Sequence, residues 1–144
     1  MKYYKVLTKD LRAPNNTDYS YEDWESKTFR VKGRLSVYRN GLHLYKSLAN
    51  ISVGNFGERV FEAEPIGKFL DDKDKICCRG IRILCEIKPE EVEDSKWAYL
   101  YCRNIRDRVE VRAKIVESEW AYRYCQNIRD RAEMRAKINK EQSE

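Results

Sequence analysis

Long apolar runs are missing from this sequence. None approaches the roughly 20 residues that a membrane-spanning helix needs, so no membrane partner is expected. The opening MKYYKVLTKD lacks the apolar centre of a signal peptide, and cytoplasmic residence is the expectation. Histidine occurs once, as His43. The C-x-x-C spacing of zinc sites is absent, which weighs against a metal formed by Cys77, Cys78, Cys85 and His43. There is no Gly-rich phosphate loop and no nucleophile elbow. No catalytic residue, cofactor or metal is therefore assigned, and the chain reads as a non-enzyme more readily than as an enzyme. Five cysteines, an odd count without a secretion signal, point to reduced thiols.

A one-signed charge field is also missing where a nucleic-acid reader would show it. Residues 89–144 carry 12 Lys/Arg and 12 Asp/Glu, while residues 1–88 carry 17 against 12, which is the whole net charge of +5. In the C-terminal part Arg103, Arg106, Arg108, Arg112, Arg129, Arg131 and Arg135 alternate with Asp107, Glu110, Glu117, Asp130 and Glu133. A phosphate-binding face would present one sign. A solvated, ion-paired surface is the better reading, with Glu110–Lys114 and Glu133–Lys137 as i,i+4 pairs.

What is present is an internal repeat. Ser95–Ile115 reads SKWAYLYCRNIRDRVEVRAKI and Ser118–Ile138 reads SEWAYRYCQNIRDRAEMRAKI, so Trp97 recurs as Trp120, Cys102 as Cys125 and Asp107 as Asp130 at a period of 23. Such a period is one supersecondary unit copied. Ala98, Cys102, Ile105, Val109 and Ala113 keep one helical side apolar, as do Ala121, Cys125, Ile128, Ala132 and Ala136. Ser95 and Ser118 are the expected N-caps. Asp107 and Asp130 each resemble the start of a capping box. Each copy is then two short helices with a corner, or one helix of about six turns if the apolar face runs straight through. Cys102 and Cys125 are expected to be buried and unpaired. Trp97 and Trp120 are expected at equivalent places, each packing partly on its neighbour. Tyr99 and Tyr122 fall off the stripe and are expected to be exposed.

Upstream of Pro89 the periodicity is that of strands. Lys2–Leu7 is an opening strand, Thr8–Ser20 a loop, and Thr28–Lys32, Arg34–Tyr38 and Gly41–Tyr45 are short strands. Ser47 starts a helical turn through Ile51, and Gly54 and Gly57 mark a loop. Glu58–Glu64, Gly67–Leu70, Ile76–Arg79 and Ile81–Ile87 complete the strands, with a turn at 71–74. Tyr19, Tyr21 and Trp24 are interleaved with Asp18, Glu22, Asp23 and Glu25. That patch either docks a partner or packs its rings over the sheet edge. His43 lies opposite Leu42 and Leu44 and reads as structural. The fold class is α+β, a small mostly antiparallel β-rich domain with a helical extension. Its parts are a domain over 1–88, a linker over 89–94, two repeats over 95–138 and a polar tail over 139–144.

Tyr3–Leu7, Asn40-Gly41-Leu42-His43, Arg59–Glu64 with Gly67, Asp72 with Lys75, and Arg82-Ile83-Leu84 resemble a small bacteriophage and prophage domain family of unknown function. The W-A-Y-x-Y units are similar to helical repeats that follow that domain, although those carry Gly at the corner where this chain has Asp107 and Asp130. The strand order also faintly resembles ADP-ribosyltransferase-like folds, which implies His43, Tyr45 and Glu62 or Glu64 around an NAD cleft. Cys-Cys-Arg-Gly-Ile-Arg at 77–82 departs from that family's late glutamate.

The expected function is a phage- or prophage-type protein-binding module. The resemblance implies a host protein or protein complex as partner, including inhibition of host defence. Tyr99, Tyr122, Arg103, Arg123, Trp24 and Tyr21 are the candidate contact residues, since Tyr, Trp and Arg anchor interfaces most often. A nucleic-acid-binding accessory protein and a degenerate ADP-ribosyltransferase-like NAD-binding domain are the alternatives, and a homo-oligomer is compatible with either.

Overall fold

A computed structural model describes residues 1–14, 16–37, 39–51, 57–116 and 118–135. The expected loop at Gly54, the pair partner Lys137, the apolar position Ala136 and the tail over 139–144 lie outside the described residues. The contacts divide the chain into two units, Met1–Ile87 and Lys88–Glu144. The first is sheet and the second helical, an α+β architecture.

The first unit is built on one long hairpin. β6 (Arg59–Asp72) and β7 (Lys75–Ile87) pair antiparallel from Val60↔Ile87 to Asp72↔Lys75. The sequence reading splits each of these strands at a glycine, and the structure shows why neither split occurs. Gly67 has φ +75 and lies in the bulge between Ile66 and Phe69, which bends the strand without ending it. Gly80 stays in register, and a Cβ there would sit 3.4 Å from both Arg30 and Ile66. That glycine marks close packing of three strands. Pro65 lies past the stretch of β6 that β1 pairs, where β7 flanks it on one side only. A strand tolerates proline in such a place.

Two shorter strands close a ring of pairings. β1 (Tyr3–Leu7) pairs with β6 over five residues, and β5 (Leu42–Tyr45) pairs with β7 over four. β1 and β5 meet at Tyr4↔Tyr45 alone. β4 (Phe29–Arg30) extends the sheet beside Gly80 and Ile81 of β7. The core holds Leu7, Leu42, Leu44, Phe61, Ala63, Ile76, Cys78 and Ile81. Each of its Leu, Ile and Phe side chains contributes roughly 1.5–3 kcal/mol by leaving water.

The segment expected to be a loop at 8–20 instead contains a small hairpin, β2 (Arg12–Ala13) with β3 (Asn16–Ser20). Leu11 at φ 62 starts the turn into it, and Tyr21 N–H donates to Leu11 O at 2.8 Å. The strand expected over 34–38 is a turn held by the Ser36↔Asn40 bridge, with Tyr38 outside the described residues. Asn40 Nδ2 explains it by donating to Lys32 O (2.7 Å) and Arg34 O (3.0 Å), which curls the segment back on itself. A tight 3-10 turn follows Ser47, over Leu48–Asn50.

In the second unit each copy is two short helical pieces with a corner. α1 spans Ser95–Asn104, α2 spans Val109–Arg112 and α3 spans Trp120–Asn127. Residues 132–135 form the turn equivalent to α2. The cap of α1 is Asp94, whose carboxylate accepts from Lys96 N–H and Trp97 N–H, and Ser95 is already helical. The cap position of α3 is Glu119, which makes no side-chain cap bond, and Ser118, one residue earlier than a cap, accepts from Trp120 N–H through Oγ at 3.2 Å. No helix among the described residues is long and apolar enough to cross a membrane.

Candidate functional site

Asp107 does not cap α2, because its carboxylate is engaged elsewhere. Oδ1 accepts from Arg112 Nη1 (3.0 Å) of its own copy. Oδ2 accepts from Tyr124 OH (2.7 Å) and Arg131 Nη2 (3.1 Å) of the second copy. Arg131 Nε donates to Tyr124 OH at 2.7 Å and completes the cluster. Burial works to raise the Asp107 carboxyl, but the bonds from Tyr124, Arg112 and Arg131 outweigh it and hold it below its ordinary value. Burial pushes the Tyr124 phenol up to about 12, with the Asp107 carboxylate adding to it.

Tyr99 forms the apolar half of the same joint. It is only 3% exposed. Its ring stacks on Trp120 at 5.3 Å, and its hydroxyl accepts from Asn127 Nδ2 at 3.0 Å. The expectation of an exposed Tyr99 is therefore corrected: the position off the stripe is the face on which the next copy stacks. Its counterpart Tyr122 is 52% exposed, and its hydroxyl accepts from Gln126 Nε2, one turn on.

The other side of the first copy is covered. Tyr101 and Asn104, the counterparts of Tyr124 and Asn127, are buried. Arg108, the counterpart of Arg131, lies beside Glu90 at 4.0 Å. Lys114 pairs with Glu93 at 3.2 Å. The unit thus runs from the 88–94 segment through the first copy to the second. The second then presents Tyr122, Asp130 and Arg135, the counterparts of Tyr99, Asp107 and Arg112. Asp130 Oδ1 pairs with Arg135 Nε at 2.8 Å, repeating the bond within the copy. The side chains of that pair are 63% and 55% exposed, against 23% and 12% for Asp107 and Arg112.

The remaining contact candidates are scattered. Arg103 and Arg123 are exposed, and Arg123 lies 5.1 Å over the Trp120 ring. Trp24 is half-buried, with its ring edge-on to Phe61 at 5.4 Å. Tyr21 is a core residue between Tyr19 (5.0 Å) and Phe29 (4.7 Å), so it offers no docking surface. The acidic aromatic patch turns its rings inward over the sheet and leaves Glu22, Asp23 and Glu25 in solvent. Trp97 and Trp120 differ in packing, since Trp97 stacks on Tyr101 of its own copy at 5.5 Å. Cys102 is buried, with its thiol raised to about 11 by burial, whereas Cys125 is half-buried. Both are unpaired.

Several charges expected to form i,i+4 pairs on a solvated surface have other partners. Glu110 pairs with Arg108 and not with Lys114. Glu133 lies 3.6 Å from Arg112 across the joint.

The first unit carries a separate pocket of about 290 Å³, beside the seam where β1 and β5 share one residue pair. His43 and Tyr45 line it, but Glu62 and Glu64 do not. Glu62 accepts a weak 3.7 Å contact from the Cys85 thiol, and Glu64 lies 3.7 Å from Arg82. The constellation implied by the ADP-ribosyltransferase resemblance is not assembled. His43 Nε2 is 2.8 Å from Val37 O, and burial pulls its pKa down. Sequence reasoning missed Lys5 in the same pocket. Its signal was a lysine at the core-facing position of β1, between Tyr3 and Leu7.

The sequence pattern of a domain of unknown function (DUF7666) matches residues 1–95. The chain belongs to the DUF7666 family. No curated protein and no solved structure matches it. The DUF7666 match takes in the whole sheet unit with its pocket and ends at the first residue of α1, so the joint between the copies lies beyond it.

Proposed function

We propose that this DUF7666 protein is a protein-binding module whose docking surface is the outer face of its second repeat copy. One observation carries the reading. The face formed by Tyr99 and Asp107 is sealed by a neighbouring helical element, and the same face recurs with Tyr122 and Asp130 exposed. The occupant is a helical element of a partner protein. It sets an aromatic ring against Tyr122 and offers hydroxyl or guanidinium donors to Asp130, as Trp120, Tyr124 and Arg131 do for the first copy. Aromatic anchors and desolvated charge pairs of this kind dominate interface energetics. The resemblance of the N-terminal motifs to a bacteriophage and prophage domain adds a host protein as that partner, with inhibition of host defence as the role.

The test uses the full chain as bait in a bacterial lysate, followed by reconstitution with the purified partner. The double variant Tyr122→Ala/Asp130→Ala should keep the native circular dichroism spectrum and bind at least about tenfold more weakly, a loss of about 1.4 kcal/mol. Equal binding by the native chain and the double variant would overturn the assignment of this face.

A further inference from the structure

We propose that the pocket at the β1–β5 seam is a binding site for a small organic anion carrying a planar ring. Lys5 from β1, His43 from β5, Arg39 from the turn before it and Lys75 from β7 all line the cavity, and no Asp or Glu among the described residues does. Tyr19 and Tyr45, both half-buried, are the aromatic residues of the lining open to a ligand, with the buried Tyr21 behind them. The volume of about 290 Å³ is at the lower end for ligand sites and fits a molecule of one or two rings with one charged group.

Lys5 decides the charge of the ligand. It is a cation at a core position and 8% exposed. Its ammonium donates to His43 O at 3.0 Å and lies 5.2 Å from the centre of the Tyr21 ring. Among the described residues no carboxylate pairs with it. A carbonyl and a ring face satisfy part of an ammonium, which has three donors, and a buried charge without a counter-ion is costly. Apolar side chains of similar length would stabilise the seam at lower cost. The ligand's anionic group would be the missing counter-ion.

The protonation of Lys5 gives the site a pH signature. Burial lowers its pKa to about 8. The titratable and charged groups facing it are Cys78 and Lys75 from β7, His43 from β5 and the Tyr21 phenol, with Asp72 opposite Lys75 at the hairpin end. A bound anion favours the charged amine and raises its pKa. Below about pH 8 the free protein already holds that proton. Above it, binding must take a proton up, so affinity falls by up to tenfold for each pH unit.

The experiment is calorimetric titration and thermal shift of the full chain at pH 7 and pH 9, with four probes. Adenosine 5′-monophosphate and benzoate carry a ring and an anion, adenosine carries the ring alone, and inorganic phosphate carries the anion alone. Adenosine 5′-monophosphate or benzoate should bind at pH 7 and weaken several-fold, up to about tenfold, by pH 9. Preference between them tells a phosphate ligand from a carboxylate. Lys5→Met should melt higher than the native chain and lose the ligand-induced shift. Lys75→Gln, at the rim, should keep the fold and weaken binding several-fold. Failure of both ring anions to bind at millimolar concentration would overturn the proposal, as would undiminished binding by Lys5→Met. Adenosine binding as well as its monophosphate would refute the anion site, and inorganic phosphate binding as well as the nucleotide would refute the ring.

Discussion

The two repeat copies carry the same aromatic and acidic residues at the same spacing, and their environments differ because one has a successor among the described residues and the other does not. Tyr99 is packed between helices while Tyr122 stands in solvent. Asp107 bonds to two copies, and among the described residues Asp130 pairs only with Arg135 of its own copy. Cys102 is buried and Cys125 half-buried. The difference teaches that in a stacked array the role of a residue is set by its neighbour as much as by its own helix.

The largest test of that contrast is Tyr99→Ala. It removes a buried ring and the Asn127 bond, and should cost about 3 kcal/mol, measured by chemical denaturation. A cost below about 1 kcal/mol would mean that the copies do not stack through this ring. Next is Asp107→Ala, which strands Tyr124, Arg112 and Arg131 and should cost about 2 kcal/mol, while Asp130→Ala should stay within about 0.5 kcal/mol. The acid limb sharpens the same pair. The Asp107 carboxyl is held below its unfolded value of about 4. Its contribution is therefore complete above that pH and is lost as pH falls through the lower, folded value. Asp107→Asn should flatten the fall of stability below about pH 4. The smallest effect belongs to Tyr122→Ala, within about 0.5 kcal/mol of the native chain. A cost equal to that of Tyr99→Ala would erase the distinction between the copies.

The strand-rich first part, the helical second part and the 23-residue period were legible because alternation and helical spacing are properties of short windows. The corner in each copy was legible only as one of two alternatives. No Gly or Pro marks it, and the capping signal at Asp107 belongs to a carboxylate that serves the joint. Tyr99 was misread for a related reason: a single helix wheel has one inside, whereas a helix in a stack has a second buried side that appears only when the copies are set against one another. The hairpin was read as four strands because Gly67 and Gly80 look like punctuation, and only the register shows one as a bulge and the other as a close approach. Lys5 escaped notice because a lysine among apolar strand residues reads as solvent-facing until the ring of strands places it inside.

The bonds of Asp107 also bear on how such a chain changes length over generations. Each 23-residue unit carries both halves of the joint, a Tyr and an Asp for the unit after it and a Trp, a Tyr and an Arg for the unit before. A tandem copy inserted by unequal recombination would thus arrive with a compatible neighbour on either side, and a deletion of one unit would rejoin matching faces. The array can grow or shrink by whole units without compensating substitutions, and the face presented at its outer end stays the same whatever the number of units beneath it.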